Sequence, residues 1–362
     1  MTLSKIPPAQ VARVIEFVRH RVGQLHRRLI PPPAAMLEMI TNAWAAQAVT
    51  AAADLGIADA LANGPLSVDE LAAAVDAKAD TLSRLLRALI SRGVFRQRRD
   101  GRYELTPLAD TLRSDAEVSV AGMARLVGSP AHREHWSHLT DAIRTGQAVI
   151  PALRGKPTFE YLADEPELGK IFNDAMTSMS EVAIASVTAA YDFRRYATIV
   201  DVGGGLGRLL AAILDVTPNS RGVLFDLPQV VAGAPALLSE LRVEDRVRIV
   251  EGSFFDGVPK GGDAYVLKNV IHDWPDDDAV RILSNVRIAA GTGKNVQLVE
   301  FVIPRHDREF LGKWADLEML IGAAARERTA DEYAQLLRRA GFRMTRVVET
   351  ASPFSVVEAI AV

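Results

Sequence analysis

No cysteine occurs among the 362 residues. That absence excludes disulfides, thiolate metal ligands and a cysteine nucleophile, and leaves the cellular compartment open. There is no excess of one charge either. The formal net charge is −3, so bulk electrostatics give no support for nucleic acid as the main partner. No run reaches the roughly 20 apolar residues of a membrane-spanning helix, and Met1-Thr-Leu-Ser-Lys5 lacks the hydrophobic centre of a signal peptide. With 49% apolar residues, the chain reads as a globular protein long enough for two domains. A cytoplasmic location is the expectation.

A further absence is local. Ile199-Val-Asp-Val-Gly-Gly-Gly-Leu-Gly-Arg-Leu-Leu210 reads as a buried strand, a glycine turn and the start of a helix. This is the plan of a nucleotide-binding α/β unit, yet G-x-G-x-x-G does not fit. A frame begun at Gly203 needs glycine at Arg208, and one begun at Gly205 needs it at Leu210. The glycine that packs a helix closely over a pyrophosphate is therefore missing, which argues against a nicotinamide oxidoreductase. Instead Asp201 precedes the turn, where it suits a positively charged group better than a pyrophosphate. Arg221-Gly-Val-Leu-Phe-Asp-Leu-Pro228 reads as the next strand, with Asp226 where a βαβ unit places a ribose-binding carboxylate. Either acid alone reads as an ordinary strand-end residue. Together they point to an adenosine-bearing ligand with a cationic end.

Upstream, Val11, Val14, Ile15, Val18, Val22, Leu25 and Leu29 recur at helical spacing between Arg13, Arg19, Arg21, Arg27 and Arg28. Such a basic amphipathic helix docks on its own protein or a sister subunit, a membrane surface being the lesser alternative. Pro31-Pro32-Pro33 ends it. An alanine-rich helix over about 35–61 suits a buried or subunit-facing place. A capping box, Ser67-Val-Asp-Glu70, then opens a helix to about Val75. A second helix covers about 80–92, and Asp100-Gly101 turns a hairpin. The result is a winged helix, and Arg84, Arg87, Arg96, Arg98, Arg99 and Arg102 give it the look of a DNA reader. Winged helices also serve as dimerisation scaffolds, and beside the downstream domain the DNA reading recedes.

Residues 118–192 read as all-helical. Phe172, Met176 and Met179 form either a core stripe or the wall of a pocket for a flat apolar substrate. His132 and His135 resemble a metal pair but have no third ligand at ligand spacing, so they read as surface or pocket histidines. Beyond about 193 a mostly parallel sheet with helices on both faces is expected. Its strands lie near 198–202, 221–226, 247–251, 263–270 and 296–303, followed by an antiparallel hairpin near 344–348 and 354–361.

Ile271-His272-Asp273-Trp274-Pro275 directly follows the fourth of these strands, beyond a carboxyl end, where open parallel sheets bind ligands. Glu300 interrupts the apolar run Leu298-Val-Glu-Phe-Val302, at a depth where an unpaired carboxylate is costly or neutralises. It needs a partner, and the neighbouring strand's end offers His272, whose ring it would orient. Glu327 precedes a second capping box, Thr329-Ala-Asp-Glu332, and pairs either at this site or with Arg328 or a helix end.

In this order, Asp201-Val-Gly-Gly-Gly-Leu-Gly207, Phe225-Asp-Leu-Pro228, Leu267-Lys-Asn-Val-Ile-His-Asp-Trp274, Glu300 and Glu327-Arg-Thr329 resemble the S-adenosylmethionine-dependent small-molecule O-methyltransferases. These include the plant caffeate and isoflavone, acetylserotonin, and bacterial antibiotic and carotenoid types. The resemblance covers about residues 35–360. It implies a Rossmann-like α/β methyltransferase sheet with an antiparallel C-terminal edge, preceded by a helical winged-helix dimerisation domain. The implied parts are an N-terminal arm (1–33), the winged helix (34–117), a helical linker and substrate-pocket region (118–192) and the cofactor-binding catalytic domain (193–362).

Residue by residue, the resemblance implies that Asp201, Gly203 and Gly205 hold the methionine part of the cofactor and Asp226 the ribose hydroxyls. Leu227 and Phe254 would flank the adenine, with Lys268 near its edge, and Ser180 would meet the cofactor carboxylate. His272 would be the general base, steered by Glu300 and Glu327. Trp136, Phe172, Met176, Met179 and Met319 would wall a pocket for a flat hydroxylated acceptor such as a phenol, quinol or polyketide ring. A homodimer producing S-adenosylhomocysteine is expected, with no metal. Two departures stand out. Plant relatives carry an acid where this chain has Ser253, which weakens the adenine contact, and the basic helix before Pro31 is additional. Some members of this family perform decarboxylation or hydroxylation, against which the retained His272, Glu300 and Glu327 argue. A DNA-binding ligand sensor would need no His272.

Overall fold

The computed structural model describes residues 7–362, the side chains of Glu181 and Val182 excepted. The chain forms two compact units. One takes in the N-terminal residues to His20, Leu139–Thr158 and Val182–Val362, the other Arg21–His138 and Phe159–Glu181. Helix α1 (Ala9–Arg28) has residues in both.

In the second unit, α2 (Pro32–Asp54) starts with proline in its first turn, where the missing N–H costs nothing. Gly56 takes the left-handed conformation (φ 66°) and ends that helical run, so the single helix expected over 35–61 is two, α2 and α3 (Ile57–Ala60). The continuous alanine pattern conceals this break. Helix α4 (Val68–Ala74) opens with the capping box: the Ser67 N–H donates to the Glu70 carboxylate at 2.7 Å and the Glu70 N–H to Ser67 Oγ at 3.3 Å. Helix α5 (Ala79–Ser91) leads into the antiparallel pair β1 (Phe95–Gln97) and β2 (Tyr103–Leu105). Leu71, Leu82, Leu86, Leu89, Phe95 and Tyr103 close one core. Each large apolar side chain buried there contributes about 1.5–3 kcal/mol. The winged helix is thus present. Helices then follow one another from Ala121–Gly128 to Pro166–Ala190.

The first unit holds the main sheet: β3 (Thr198–Val202), β4 (Arg221–Asp226), β5 (Val247–Glu251), β6 (Ala264–Lys268), β7 (Asn295–Ile303), β8 (Arg328–Thr329), β9 (Phe342–Glu349) and β10 (Phe354–Ala361). Their order is β5-β4-β3-β6-β7-β10-β9, with the first five parallel and β10 antiparallel to both neighbours. The central strands read as nearly unbroken apolar runs because both faces are covered. Tyr265, Leu267 and Leu298 of the sheet pack with Leu283, Tyr333 and Leu337 from helices Asp276–Ala290 and Ala330–Arg339. Strand order reverses between β3 and β6, the switch point at which ligands meet such sheets. The two-residue β8 was not expected. It pairs parallel with the end of β7, Val302 opposite Arg328, and so anchors Glu327 beside that strand's carboxyl end. No described helix is long and apolar enough to cross a membrane.

Candidate active site

At the end of β3 the chain turns through Gly203 (φ 69°) and Gly205 (φ 61°), conformations that side chains with a Cβ rarely adopt. At Gly204 a Cβ would stand 2.7 Å from the Asp201 carboxylate, whereas one at Gly205 would meet nothing within 4 Å. The turn is therefore closed toward Asp201 and open on its outer side. The Gly205 N–H donates to Asp226 Oδ2 at 2.8 Å, and the Leu227 N–H to Oδ1 at 2.7 Å. The two acids expected to act together do share this turn.

Asp201 is buried, and its Oδ2 has no hydrogen-bond partner. Burial, with the Asp226 charge adding to it and Lys268 opposing, pushes its pKa up to about 7. Lys268 at the end of β6 feels the converse. Burial pulls its ammonium down to about 8, while Glu300 and Asp201 hold it up. A buried carboxylate oxygen without a partner, beside an open glycine turn and a second strand-end acid, fits a cationic adenosine ligand. Phe254 packs edge-on against Trp274 at 5.9 Å, and Asn285 donates to the Phe254 carbonyl at 2.8 Å, holding the loop with Ser253 in place. Leu227 is exposed.

After β6, Asn269 adopts φ 52°, which asparagine tolerates better than most residues, and the chain enters a 3-10 turn, Ile271–Asp273. His272 is buried there. Its Nδ1 lies 2.7 Å from Glu327 Oε1 but 3.8 Å from Glu300 Oε2, and its Nε2 lies 3.4 Å from Asp273. Of the two acids expected to steer the ring, Glu327, held by the β8 pairing, touches it, and Glu300 stands farther off. Glu300 Oε1 accepts the N–H groups of Ile271 at 2.9 Å and Val270 at 3.2 Å, which fixes the backbone that carries His272. Arg328 does not pair with Glu327. It donates to the Ile271 and Trp274 carbonyls at 3.0 Å each and to Asp276 at 2.7 Å, pinning the turn from the other side.

Burial works against a charged imidazole, but Asp273, Glu300 and Glu327 outweigh it and raise His272 to about 10. Glu300 is raised by burial to about 7, with His272 opposing. The donor atoms of His272, Glu300 and Glu327 converge within 4.8 Å, close enough for a divalent cation to use them. However, Nδ1 is already committed to Glu327 and Glu300 Oε1 to two amides, so the set reads as proton-handling machinery. Sequence reasoning missed Asp273 as a neighbour of the ring. It also missed Asp316, which accepts the Glu327 N–H at 2.9 Å. No local pattern distinguishes either from an ordinary surface acid.

The remaining candidates are divided between the units. Met319 lies half-buried in the first, on helix Leu311–Ala323. Trp136, Phe172, Met176, Met179 and Ser180 lie half-buried in the second. Phe172 meets Phe159 edge-on at 6.3 Å, and Trp136 lies 6.2 Å from the His132 ring. His135 is buried rather than on the surface.

Comparison with known proteins places this geometry. Family models for an O-methyltransferase dimerisation domain and an O-methyltransferase domain match residues 37–115 and 136–343. Phenazine O-methyltransferase PhzM of Lysobacter antibioticus is 41% identical over 330 residues, covering 91% of this chain and 96% of that protein. Phenazine-1-carboxylate N-methyltransferase of Pseudomonas aeruginosa is 33% identical over 87% of this chain and 93% of its own. Among solved structures, NcsB1, an O-methyltransferase of neocarzinostatin biosynthesis in complex with S-adenosylmethionine and 2-hydroxy-5-methyl naphthoic acid, superposes with a TM-score of 0.73. It is 34% identical, with 88% of this chain and 96% of that one covered. The strand-end acids, the glycine turn and the imidazole beyond β6 therefore stand in a chain that belongs to the S-adenosylmethionine-dependent O-methyltransferase family.

Proposed function

We propose that the chain methylates a hydroxyl of a small aromatic, quinol or polyketide-like acceptor, as a homodimer, with His272 as general base. The observation that carries this reading is the 2.7 Å contact between His272 Nδ1 and Glu327 at the carboxyl end of β6. It commits Nδ1–H to the carboxylate, so that the proton the imidazolium gives up is the one on Nε2, and the neutral ring then offers its Nε2 lone pair to the acceptor. When bound, S-adenosylmethionine supplies an electrophilic methyl group on a sulfonium centre. Asp201 and Asp226 would hold its methionine and ribose portions, and Leu227 and Phe254 would flank the adenine, with Ser253 and Lys268 nearby.

A phenol titrates near 10 and is a poor nucleophile at neutral pH. His272 Nε2 takes the hydroxyl proton as the oxygen gains the methyl group. Against its burial, Asp273, Glu300 and Glu327 raise the basicity of the ring, so the neutral form is a strong base that becomes more abundant as pH rises, and such assistance is worth about 10²–10⁴-fold. Glu327 orients the ring and Glu300 fixes the backbone beneath it. Met319, in the same unit as His272, would line the acceptor, methionine adapting to flat rings of varied outline.

The test is incubation with methyl-labelled cofactor and aromatic acceptors offered in matched hydroxy and amino forms, followed by mass spectrometry. Label on oxygen is the expected result. Label on nitrogen alone, or none on any acceptor, overturns the reading.

A further inference from the structure

Helix α1 precedes the matched dimerisation domain, and that domain does not account for it. Val11, Ile15, Val18, Val22 and Leu25 of the helix and Leu29 just beyond it are spaced 4-3-4-3-4, the 3.5-residue repeat of a helix that packs along another helix, and Val14 beside them widens the row. They are 46–74% exposed. Inside the first unit the helix makes polar contacts, with Arg13 bridging to Glu349 at 2.8 Å and the Arg308 guanidinium standing over the Phe17 ring at 5.9 Å. On α2 a second row, Leu37, Ile40 and Trp44, is 59–74% exposed.

We infer that the α1 seam seats on the α2 row of a second copy, and reciprocally, as an arm that extends the dimer interface. Charge selects this pairing. Arg19, Arg21 and Arg28 flank the seam, so two α1 helices side by side would set like charges against each other. Helix α2 has no lysine or arginine, so it sets no like charge against the seam; its two acids have partners within the chain, Asp54 standing 3.6 Å from Arg125 and Glu38 3.9 Å from His26. Its exposed row also lies at the start of the matched dimerisation domain, so the arm continues a surface already committed to association.

This inference extends the dimer reading, and the test separates the two. Because the chain has no cysteine, introduced thiols are unique. Val22→Cys protein mixed with Ile40→Cys protein under mild oxidation is expected to give a covalent dimer at least tenfold faster than either alone, or than Arg27→Cys mixed with Ile40→Cys. Equal cross-linking of Val22→Cys alone would show α1 pairing with α1 and overturn the inference. Closure within one chain of the double variant would also overturn it, as would sedimentation with anionic vesicles and no cross-link. In sedimentation without oxidant, a persistent dimer in these cases leaves the dimer reading intact, whereas a monomer removes both.

Discussion

Two buried polar clusters interrupt the same strand, and their difference separates holding a fold from doing chemistry. Toward the start of β7, Gln297 donates to Tyr196 at 2.9 Å and to Tyr191 at 3.1 Å, and Tyr191 donates to Glu358 of β10. Thr345 at 2.7 Å, Arg346 at 3.2 Å and Arg195 complete the shell of Glu358. Burial would raise that carboxyl, but hydrogen bonds from Tyr191, Thr345 and Arg346 hold it down at about 2. Only Gln297 Oε1 lacks a partner among these groups. Three residues on, Glu300 lies among Glu327, His272, Lys268 and Asp201. There the acids Asp201 and Glu300 are pushed up, and Asp201 Oδ2, Glu300 Oε2 and Glu327 Oε2 are left without hydrogen bonds. A closed network stabilises the fold. An open one holds unspent electrostatic capacity for a cationic ligand and a transferred proton.

The largest expected effect that would sharpen this contrast is on rate. His272→Gln keeps a donor toward Glu327 but removes the base. It should lower kcat/KM by about 10²–10⁴-fold, measured by steady-state kinetics on protein that calorimetry shows to be folded. Glu358→Gln should act on stability alone. It weakens charge-assisted hydrogen bonds and costs about 2 kcal/mol of stability, read by urea unfolding, with kcat unchanged. A comparable loss of kcat there would break the distinction between the clusters. Asp201→Asn should weaken binding of S-adenosylhomocysteine about tenfold, the effect of one charge-assisted contact, with stability equal to or above the parent. Calorimetric titration measures the first and thermal unfolding the second.

The smallest effect is in pH. Because His272 is raised from 6.5 to about 10, its ionic stabilisation is complete below pH 6.5 and is lost as pH climbs through 10. The same shift makes kcat/KM rise with pH above neutrality, and Glu327→Gln should move that rise to lower pH.

Much of this architecture was legible in the residues. Strands β3, β4, β6 and β7 are apolar runs because the sheet is buried on both faces, and the capping boxes at Ser67 and Thr329 mark helix starts through side-chain chemistry alone. The break at Gly56 was hidden by alanines on both sides of it. Strand β8, two residues long, has no periodicity to read, yet its pairing decides that Glu327 rather than Glu300 touches His272. Gln297 and Glu300 are equally polar interruptions of one run. What separates them is whether tertiary neighbours satisfy them, and that is not written in local spacing.

The central claim is that His272 removes the acceptor's proton. The most direct measurement is single-turnover methyl transfer by the parent and His272→Gln proteins, at saturating cofactor, across acceptors of graded hydroxyl acidity. The account predicts a loss of about 10²-fold or more for acceptors titrating near 10, shrinking toward none for those already ionised at the assay pH. A loss of the same size at every acidity, or no loss at all, would contradict it.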